Sequence, residues 1–306
     1  MFTMSFFIKL IFFLSFPFSL YSQSQLGNGL KDRESALNYA YYLNCNGAFE
    51  KRIDGEIYFF PCKDEEELQI KKKQMQVRPE VTEVWDPEPK IITPGNLYGM
   101  PPSDAIILFD GTNLNSWIQE NGEPKWTIKD DYMTVKPGSG GLFTKQSFGD
   151  CQLHIEFRTP SQIKGEGQGR GNSGVYFMQE MGAIGDVGYE VQVLDSYQNR
   201  TYSNGQASSI YKQHIPLVNA SKKPGEWQTY DIFFKAPLYD EKGKLLRPAY
   251  ITVIHNGVLV QNHVQIQGPT RYIGYPSYKK DKKKEPIMLQ DHGNLVSYRN
   301  IWIREL

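Results

Sequence analysis

The shortages in this sequence are informative. Its 306 residues include only three cysteines, Cys45, Cys62 and Cys151, and none stands with a histidine at the close spacing of a structural zinc site. There is no excess of charge: 34 Lys and Arg balance 34 Asp and Glu. That excludes the basic surface with which a nucleic-acid binder neutralises phosphates. A long apolar run is missing everywhere except at the N-terminus, so no membrane span is expected in the processed chain. What is present is a globular composition, 40% hydrophobic and 22% charged, with length enough for a substantial core. Aromatics make up 13%, with 19 Tyr and 17 Phe, a level that suits a β-rich chain or a stacking, sugar-type surface.

The N-terminal exception reads MFTMSFFIKLIFFLSFPFSLYSQSQ. Lys9 precedes an apolar run over residues 10–20, and small polar residues follow, which is the pattern of a secretory signal peptide. Residues 1–22 are assigned to it, with cleavage close to residues 22–25 and a periplasmic or secreted destination. In an oxidising compartment Cys45 and Cys62 are expected to close a disulfide. Cys151 heads an alternating strand and is expected to be a buried free thiol.

Residues 23–103 differ in character from the rest of the chain. DRESALNYAYYLNC has helical spacing, with Asp32 as N-cap and Ala36, Tyr39, Ala40 and Leu43 on one face. KDEEELQIKKKQMQ is a second, charged helical run, and a proline-rich strap precedes residue 104. From there to residue 306 the chain reads as strand after strand, with hairpins at Asp130-Asp131 and at HNGV. The expected fold is all-β, a β-sandwich carrying a small, partly helical N-terminal extension.

GYEVQVLDS raises the functional question. In a strand Tyr189, Val191 and Val193 share one face, and Glu190 and Gln192 the other. The pattern alone allows either a solvated outer face or a binding site for Glu190 and Gln192. Arg170 and Asn172 stand in a glycine-rich loop, GEGQGRGNSG, where backbone can approach a ligand. Gln290 and His292 share one face of IMLQDHG, with Ile287 and Leu289 on the other; Asp291 is expected on the core side as a structural acceptor. Asp195 ends its strand as either a turn residue or a site carboxylate. His154, Glu156 and Arg158 alternate on one face, as a charge ladder or a site. Lys212 lies in a loop where exposure is the default, and His255 and His263 are read as hairpin surface positions.

LFDGTNLNSW, GNSGVYF, GYEVQVLDS, KPGEWQTYDI, HNGVLVQN, LQDHG and VSYRNIWIREL, in that order, resemble the 3-keto-disaccharide hydrolase domain over residues 104–306. The resemblance implies a jelly-roll β-sandwich of the concanavalin-like lectin/glucanase type, with a sheet face that holds an oxidised glycoside. It implies catalytic candidates Glu190, His292 and Asp195. With the face and loop readings above, the substrate-binding candidates are Arg170, Asn172, Gln192, Gln290 and Lys212. No cofactor is required by the sequence, a divalent metal is left open, and the oligomeric state is not legible.

Glucanases on this fold set carboxylates along one strand as E-x-D-x-x-E, whereas EVQVLD has Gln192 in place of the second. A ketone at C3 changes the demand, because it acidifies the C2 hydrogen and opens an elimination route needing one base, one enolate stabiliser and one proton donor. The expected activity is cleavage of 3-keto-glycosides by elimination across C1–C2 or by hydrolysis. The alternatives are a non-catalytic carbohydrate-binding module and a conventional endo-glycanase. A deep polar pocket separates the first from an open aromatic groove.

Overall fold

A computed structural model of the chain describes residues 29–30, 32–43, 45, 47–76, 82–183, 187–278 and 283–306. The leader, its cleavage region and most of the lysine run at 279–284 lie outside those residues. The chain divides into two compact units, Met1–Lys90 and Ile91–Leu306. Among the described residues no helix is long and apolar enough to cross a membrane.

The first unit holds α1 (Arg33–Leu43), β1 (Phe49–Ile53), β2 (Glu56–Phe60) and α2 (Glu65–Gln76). Asp32 caps α1 as its position predicts, accepting from the N–H groups of Glu34 (3.2 Å) and Ser35 (2.7 Å). Ala36, Ala40 and Leu43 are buried on one face. Asp64 caps α2 by accepting from the Glu67 N–H at 2.8 Å. The Cys45–Cys62 disulfide is formed, with the Cα atoms 5.3 Å apart, and Leu43 and Leu68 pack against it.

The second unit is an antiparallel sandwich. Its strands are β3 (Ile106–Phe109), β4 (Trp117–Ile118), β5 (Thr127–Lys129), β6 (Tyr132–Thr134), β7 (Leu142–Thr144), β8 (Cys151–Arg158), β9 (Ser173–Phe177) and β10 (Tyr189–Val193). They continue with β11 (Gln228–Lys235), β12 (Leu238–Tyr239), β13 (Leu245–Arg247), β14 (Tyr250–His255), β15 (Val258–Gln265), β16 (Met288–Leu289) and β17 (Ser297–Glu305). The larger sheet runs β15-β14-β11-β8-β17-β6-β5, with β3 beside the later part of β17. The smaller runs β10-β9-β16-β7-β4. This is the β-sandwich that the strand pattern predicts, in the all-β form that the resemblance implies. Both expected hairpins form, and at the β14–β15 turn Asn256 and Gly257 take positive φ (54° and 80°), the twist that suits a two-residue loop.

Alternation fixes which residues face the core. Leu153, Ile155 and Phe157 point inward from β8, Val175 and Phe177 from β9, Tyr189, Val191 and Val193 from β10. Each such side chain contributes roughly 1.5–3 kcal/mol on leaving water. Phe177 stacks on Phe234 across the sandwich, ring centroids 4.7 Å apart. Tyrosines also tie the sheets through hydrogen bonds: Tyr230 donates to the Gln192 carbonyl (2.8 Å) and Tyr298 to Ser173 Oγ (2.7 Å). Cys151 is the buried free thiol expected.

The even residues of β8 settle the ladder question. His154 Nδ1 meets Asp231 Oδ1 at 2.6 Å, and Glu156 takes Arg299 (2.7 Å) and Asn300 (2.9 Å). Arg158 lies over the rings of Tyr132 and Trp227, 4.6 Å from each. Part of the strap closes over this face: Tyr98 donates to Asp231 (2.5 Å), and the Gly99 carbonyl accepts from Asn300 and Trp302. Residues 91–103 of the strap therefore belong with the sandwich rather than forming a free linker. His255 is a correction. It is buried, not on the surface, because it shares parity with Ile251 and Val253. Ser208 and Gln228 satisfy its two nitrogens at 2.8 and 3.0 Å, and burial pushes its pKa down to about 3. His263 is exposed as expected, stacked on Tyr250.

Candidate active site

The outer face of the smaller sheet carries the answer for Glu190 and Gln192. Register sets Glu190 on β10 beside Tyr176 on β9, and Tyr176 beside Met288 on β16. Because odd positions on these strands are core, the even ones converge on the other side. Above them the chain adds the short turn at Gly167–Gly169 and the segments around residues 211 and 270–272. The result is a cavity of about 400 Å³ lined by Asn172, Tyr176, Glu190, Gln192, Gln290 and His292, with Gln168, Gln179, Tyr211, Thr270, Tyr272 and Met288 around them.

Glu190 is at the bottom, only 3% exposed. Its N–H donates to Thr270 Oγ1 at 2.9 Å, which fixes the strand beneath the carboxylate. The side chain lies over Gly174: a Cβ there would sit 2.6 Å from Glu190 Oε1, so only glycine leaves it room. Burial pushes the Glu190 carboxyl up to about 8, and the hydrogen bond from Tyr176 offsets only part of that rise. Burial likewise raises the Tyr176 phenol, and the Glu190 charge adds to it. A carboxylic acid that titrates just above neutrality is matched to moving a proton in either direction.

Amides surround it. The two N–H groups of Gln192 Nε2 are shared among three acceptors, Asn172 Oδ1 (2.8 Å) and the carbonyls of Ser173 and Val193 (2.9 Å each), and Asn172 Nδ2 donates to the Gln168 carbonyl (2.7 Å). With its nitrogen committed, Gln192 keeps its oxygen as an acceptor for the cavity. Gln290 Nε2 donates to Tyr176 Oη at 3.2 Å. His292 is exposed at the cavity edge. Asp291 accepts from the N–H groups of Gly140 (3.1 Å) and Gly293 (2.9 Å), the structural acceptor expected, but it is half-buried and lines a neighbouring cavity rather than facing the core.

The structure thus brings together Glu190, His292, Asn172, Gln192 and Gln290. It leaves out Arg170, Asp195 and Lys212. Arg170 Nε pairs with Asp195 Oδ2 at 2.6 Å, and its Nη2 donates to the Tyr197 carbonyl at 2.9 Å. This pair lines a separate cavity of about 420 Å³ with Ile163 and Leu295. The reason is parity and strand length: β10 ends at Val193, and Asp195 lies two residues beyond, out of phase with Glu190. Lys212 sits behind the wall, its Nζ bonded to the Tyr272 carbonyl at 2.8 Å and 4.3 Å from that ring's centre.

Sequence reasoning missed Tyr176, Tyr211 and Tyr272. Tyr176 was available from parity in GVYF, since Val175 and Phe177 are core. Tyr211 and Tyr272 come from distant segments, and only the tertiary fold brings them to β10. Among the described residues, the one group of three His, Cys, Asp or Glu ligand atoms close enough to share an ion is Cys45, Cys62 and Glu67, and both sulfurs there are in the disulfide.

Comparison with known proteins agrees with this architecture. A presumed glycosyl hydrolase from Parabacteroides distasonis superposes with a TM-score of 0.69 at 48% identity, over 75% of this chain and 97% of that one. A second presumed glycosyl hydrolase from the same organism is 20% identical, covers 66% and 94% of the two chains, and has a TM-score of 0.50, which speaks to the fold alone. A search of curated proteins finds no match. The profile of the 3-keto-alpha-glucoside-1,2-lyase-like domain matches residues 104–304, the whole sandwich from the end of the strap to β17, and the chain belongs to that family.

Proposed function

We propose that this carbohydrate-active enzyme cleaves glycosides already oxidised at C3, by elimination across C1–C2, with Glu190 as the base. The observation that carries the reading is the lone carboxylate among the described residues that line this cavity: Glu190 is buried, raised to about 8 and surrounded by neutral amides and phenols. A direct displacement at C1 needs two carboxylates flanking the bond, and Asp195 does not line this cavity. Elimination needs one. Glu190 takes the C2 proton, the electron pair moves through the C3 carbonyl as an enolate, and the C1–O bond breaks with its electrons leaving on oxygen. The products are a 2-hydroxy-3-keto-glycal and the free alcohol; water added later across the double bond gives the hydrolysis product.

Arg170 is not available to stabilise the enolate, because Asp195 neutralises it in another cavity. Tyr211 at the cavity wall takes that role as a neutral hydrogen bonder: its hydroxyl meets that of Tyr202 at 2.6 Å, where either can donate, whereas the one O–H of Tyr176 is given to Glu190. His292, at the exposed edge, is placed to protonate the departing oxygen. Gln192 and Asn172 orient ring hydroxyls. A deep carboxylate also supports catalysis over a carbohydrate-binding module, which gains nothing from desolvating an acid.

The test is a matched pair of glycosides, one oxidised at C3 and one not. Cleavage is expected for the ketone alone, with deuterium at C2 slowing the reaction or exchanging with solvent. Equal turnover of the unoxidised sugar refutes the reading, and binding without turnover of either returns the module. The Cys45–Cys62 disulfide supports export, since such bonds persist in oxidising compartments. Intact mass of the protein from its native compartment decides that proposal; a retained leader overturns it.

A further inference from the structure

We propose that His154 is a proton-operated latch for the strap: charged, it holds the loop of residues 93–103 on the outer face of the larger sheet, and on losing its proton it lets that loop lift. The loop is a closed piece of chain. The Thr93 N–H donates to Ser103 Oγ and the Ser103 N–H to the Thr93 carbonyl, 2.9 Å each, and the Met100 N–H donates to the Leu97 carbonyl at 3.1 Å. Its tip, Tyr98 and Gly99, lies on the sheet: Tyr98 donates to Asp231, and the Gly99 carbonyl accepts from Asn300 and Trp302. Just beyond the loop Arg304 holds Asp104 through two hydrogen bonds of 2.9 Å, so the sandwich stays anchored while the loop moves.

Under the tip His154 is fully buried, its ring stacked on Trp302 (centroids 5.2 Å apart) and edge-on to Tyr98 (6.3 Å). The titratable groups that face it are Glu156 from its own strand, Asp231 from β11 and Tyr98 from the loop, with Arg299 of β17 bound to both Glu156 and Asp131. Nδ1 is taken by Asp231, whereas Nε2 has no hydrogen-bond partner among the described residues and lies 3.9 Å from Glu156 Oε1. Gly99 closes the space above it: a Cβ there would come within 3.1 Å of Nε2. The two protonation states therefore make different demands. As an imidazolium, the ring directs an N–H at each of two carboxylates and is balanced between them. As a neutral imidazole with its proton on Nδ1, it turns a bare lone pair towards Glu156, and a buried acceptor with no donor is costly. A water that donates to Nε2 needs the place that Gly99 occupies. Burial by itself lowers the His154 pKa, but Asp231 and Glu156 outweigh it and raise the value above 6.5. The hold on the loop is then full below about 6.5 and is lost as pH rises through the higher, closed-state value.

The experiment follows exchange of indole N–H groups with water by NMR of the full-length protein, its tryptophans isotopically labelled, from about pH 5.5 to about 8.5. Trp302 Nε1 donates to the Gly99 carbonyl at 2.8 Å and reports the loop; Trp117 Nε1 donates to the Leu108 carbonyl at 2.8 Å in the core and reports the whole fold. Each rate is divided by that of free tryptophan at the same pH. Protection of Trp302 is expected to fall roughly 10-fold or more above pH 6.5, a factor of ten for each pH unit by which the closed-state pKa exceeds the open one, and to fall further than that of Trp117. In His154→Gln this pH dependence should vanish. Asp231→Asn, which removes the charge that Nδ1 faces, should move the midpoint of release to lower pH, whereas a merely structural role would shift protection alike at every pH. Protection of Trp302 that is flat in wild type, that falls only in step with Trp117, or that falls equally in His154→Gln overturns the proposal. Should His154→Gln fail to fold, the Asp231→Asn midpoint decides alone, and an unmoved midpoint refutes the latch.

Discussion

Replacing Glu190 by Gln removes one titrating proton from the bottom of the cavity and changes little in shape. It is expected to stabilise the protein at alkaline pH while disabling it. Burial raises the carboxyl from 4.5 to about 8. Because the folded pKa is the higher one, the folded state holds the proton more tightly than the unfolded state. Its contribution to stability is full below about pH 4.5 and is lost as pH rises to about 8. That interval of about 3.5 pH units, at ~1.36 kcal/mol each, amounts to roughly 5 kcal/mol. The amide of the Glu190→Gln variant does not titrate and has no such dependence. Denaturant melts of both proteins between pH 4.5 and 9 should therefore diverge by several kcal/mol, the variant gaining on the wild type as pH rises. Single-turnover cleavage of a 3-keto-glycoside should fall ~10²–10⁴-fold in the same variant, and wild-type activity should rise through pH 8 as the base ionises. Parallel melts with near-normal turnover would refute both the burial argument and the catalytic role.

Three further outcomes rest on named groups. His292→Ala should lose ~10²–10⁴-fold in turnover with its melting curve unchanged, because the imidazole is exposed; an unchanged rate removes His292 from the chemistry. Arg170→Met should leave Asp195, 3% exposed, without its partner and cost about 3–5 kcal/mol by denaturant melt, largely restored by adding Asp195→Asn; a variant that melts like wild type but loses turnover would return Arg170 to the site. His255 is held neutral by burial down to about pH 3, so its contribution is present above the unfolded value of about 6.5 and is lost as pH falls towards 3. His255→Gln should then show a shallower loss of stability than wild type between pH 6.5 and 4, by up to ~1.4 kcal/mol per pH unit; equal slopes would contradict the buried neutral histidine.

The architecture was legible because alternation is a local signal. Tyr189, Val191 and Val193 against Glu190 and Gln192, and Leu289 against Gln290, announce their faces within a few residues, and the structure keeps every one of those assignments. Parity read carefully also contained Tyr176 and the buried His255. Apart from His255, at the last position of β14, what failed were assignments beyond strand ends. Asp195 lies past the last residue of β10 and Lys212 in a loop at positive φ (60°), where no periodicity says which way a side chain turns. The walls contributed by Tyr211 and Tyr272 depend on chain returning over β10 from residues far along the sequence, information that no local window holds.

The same desolvation that raises the Glu190 carboxyl fits the composition of the cavity around it. A cavity rich in Lys, Arg or paired carboxylates would ionise Glu190 through nearby charge or compete with it for the proton. Here the polar lining is amide, phenol and hydroxyl apart from His292 at the edge, so the carboxyl is governed by burial and one hydrogen bond from Tyr176. The strong cation on the loop side, Arg170, is spent on Asp195. Lys212 is held behind the Tyr272 ring by the carbonyl of the same residue. Keeping both cations out of the cavity is what lets a single carboxyl sit near 8. A base at that value can take a C2 proton made acidic by a neighbouring ketone, whereas it has little hold on the far less acidic C2 proton of an unoxidised sugar. On the proposed elimination, specificity for an oxidised substrate would follow from the acidity of the substrate's own C–H bond as much as from any contact to the C3 oxygen.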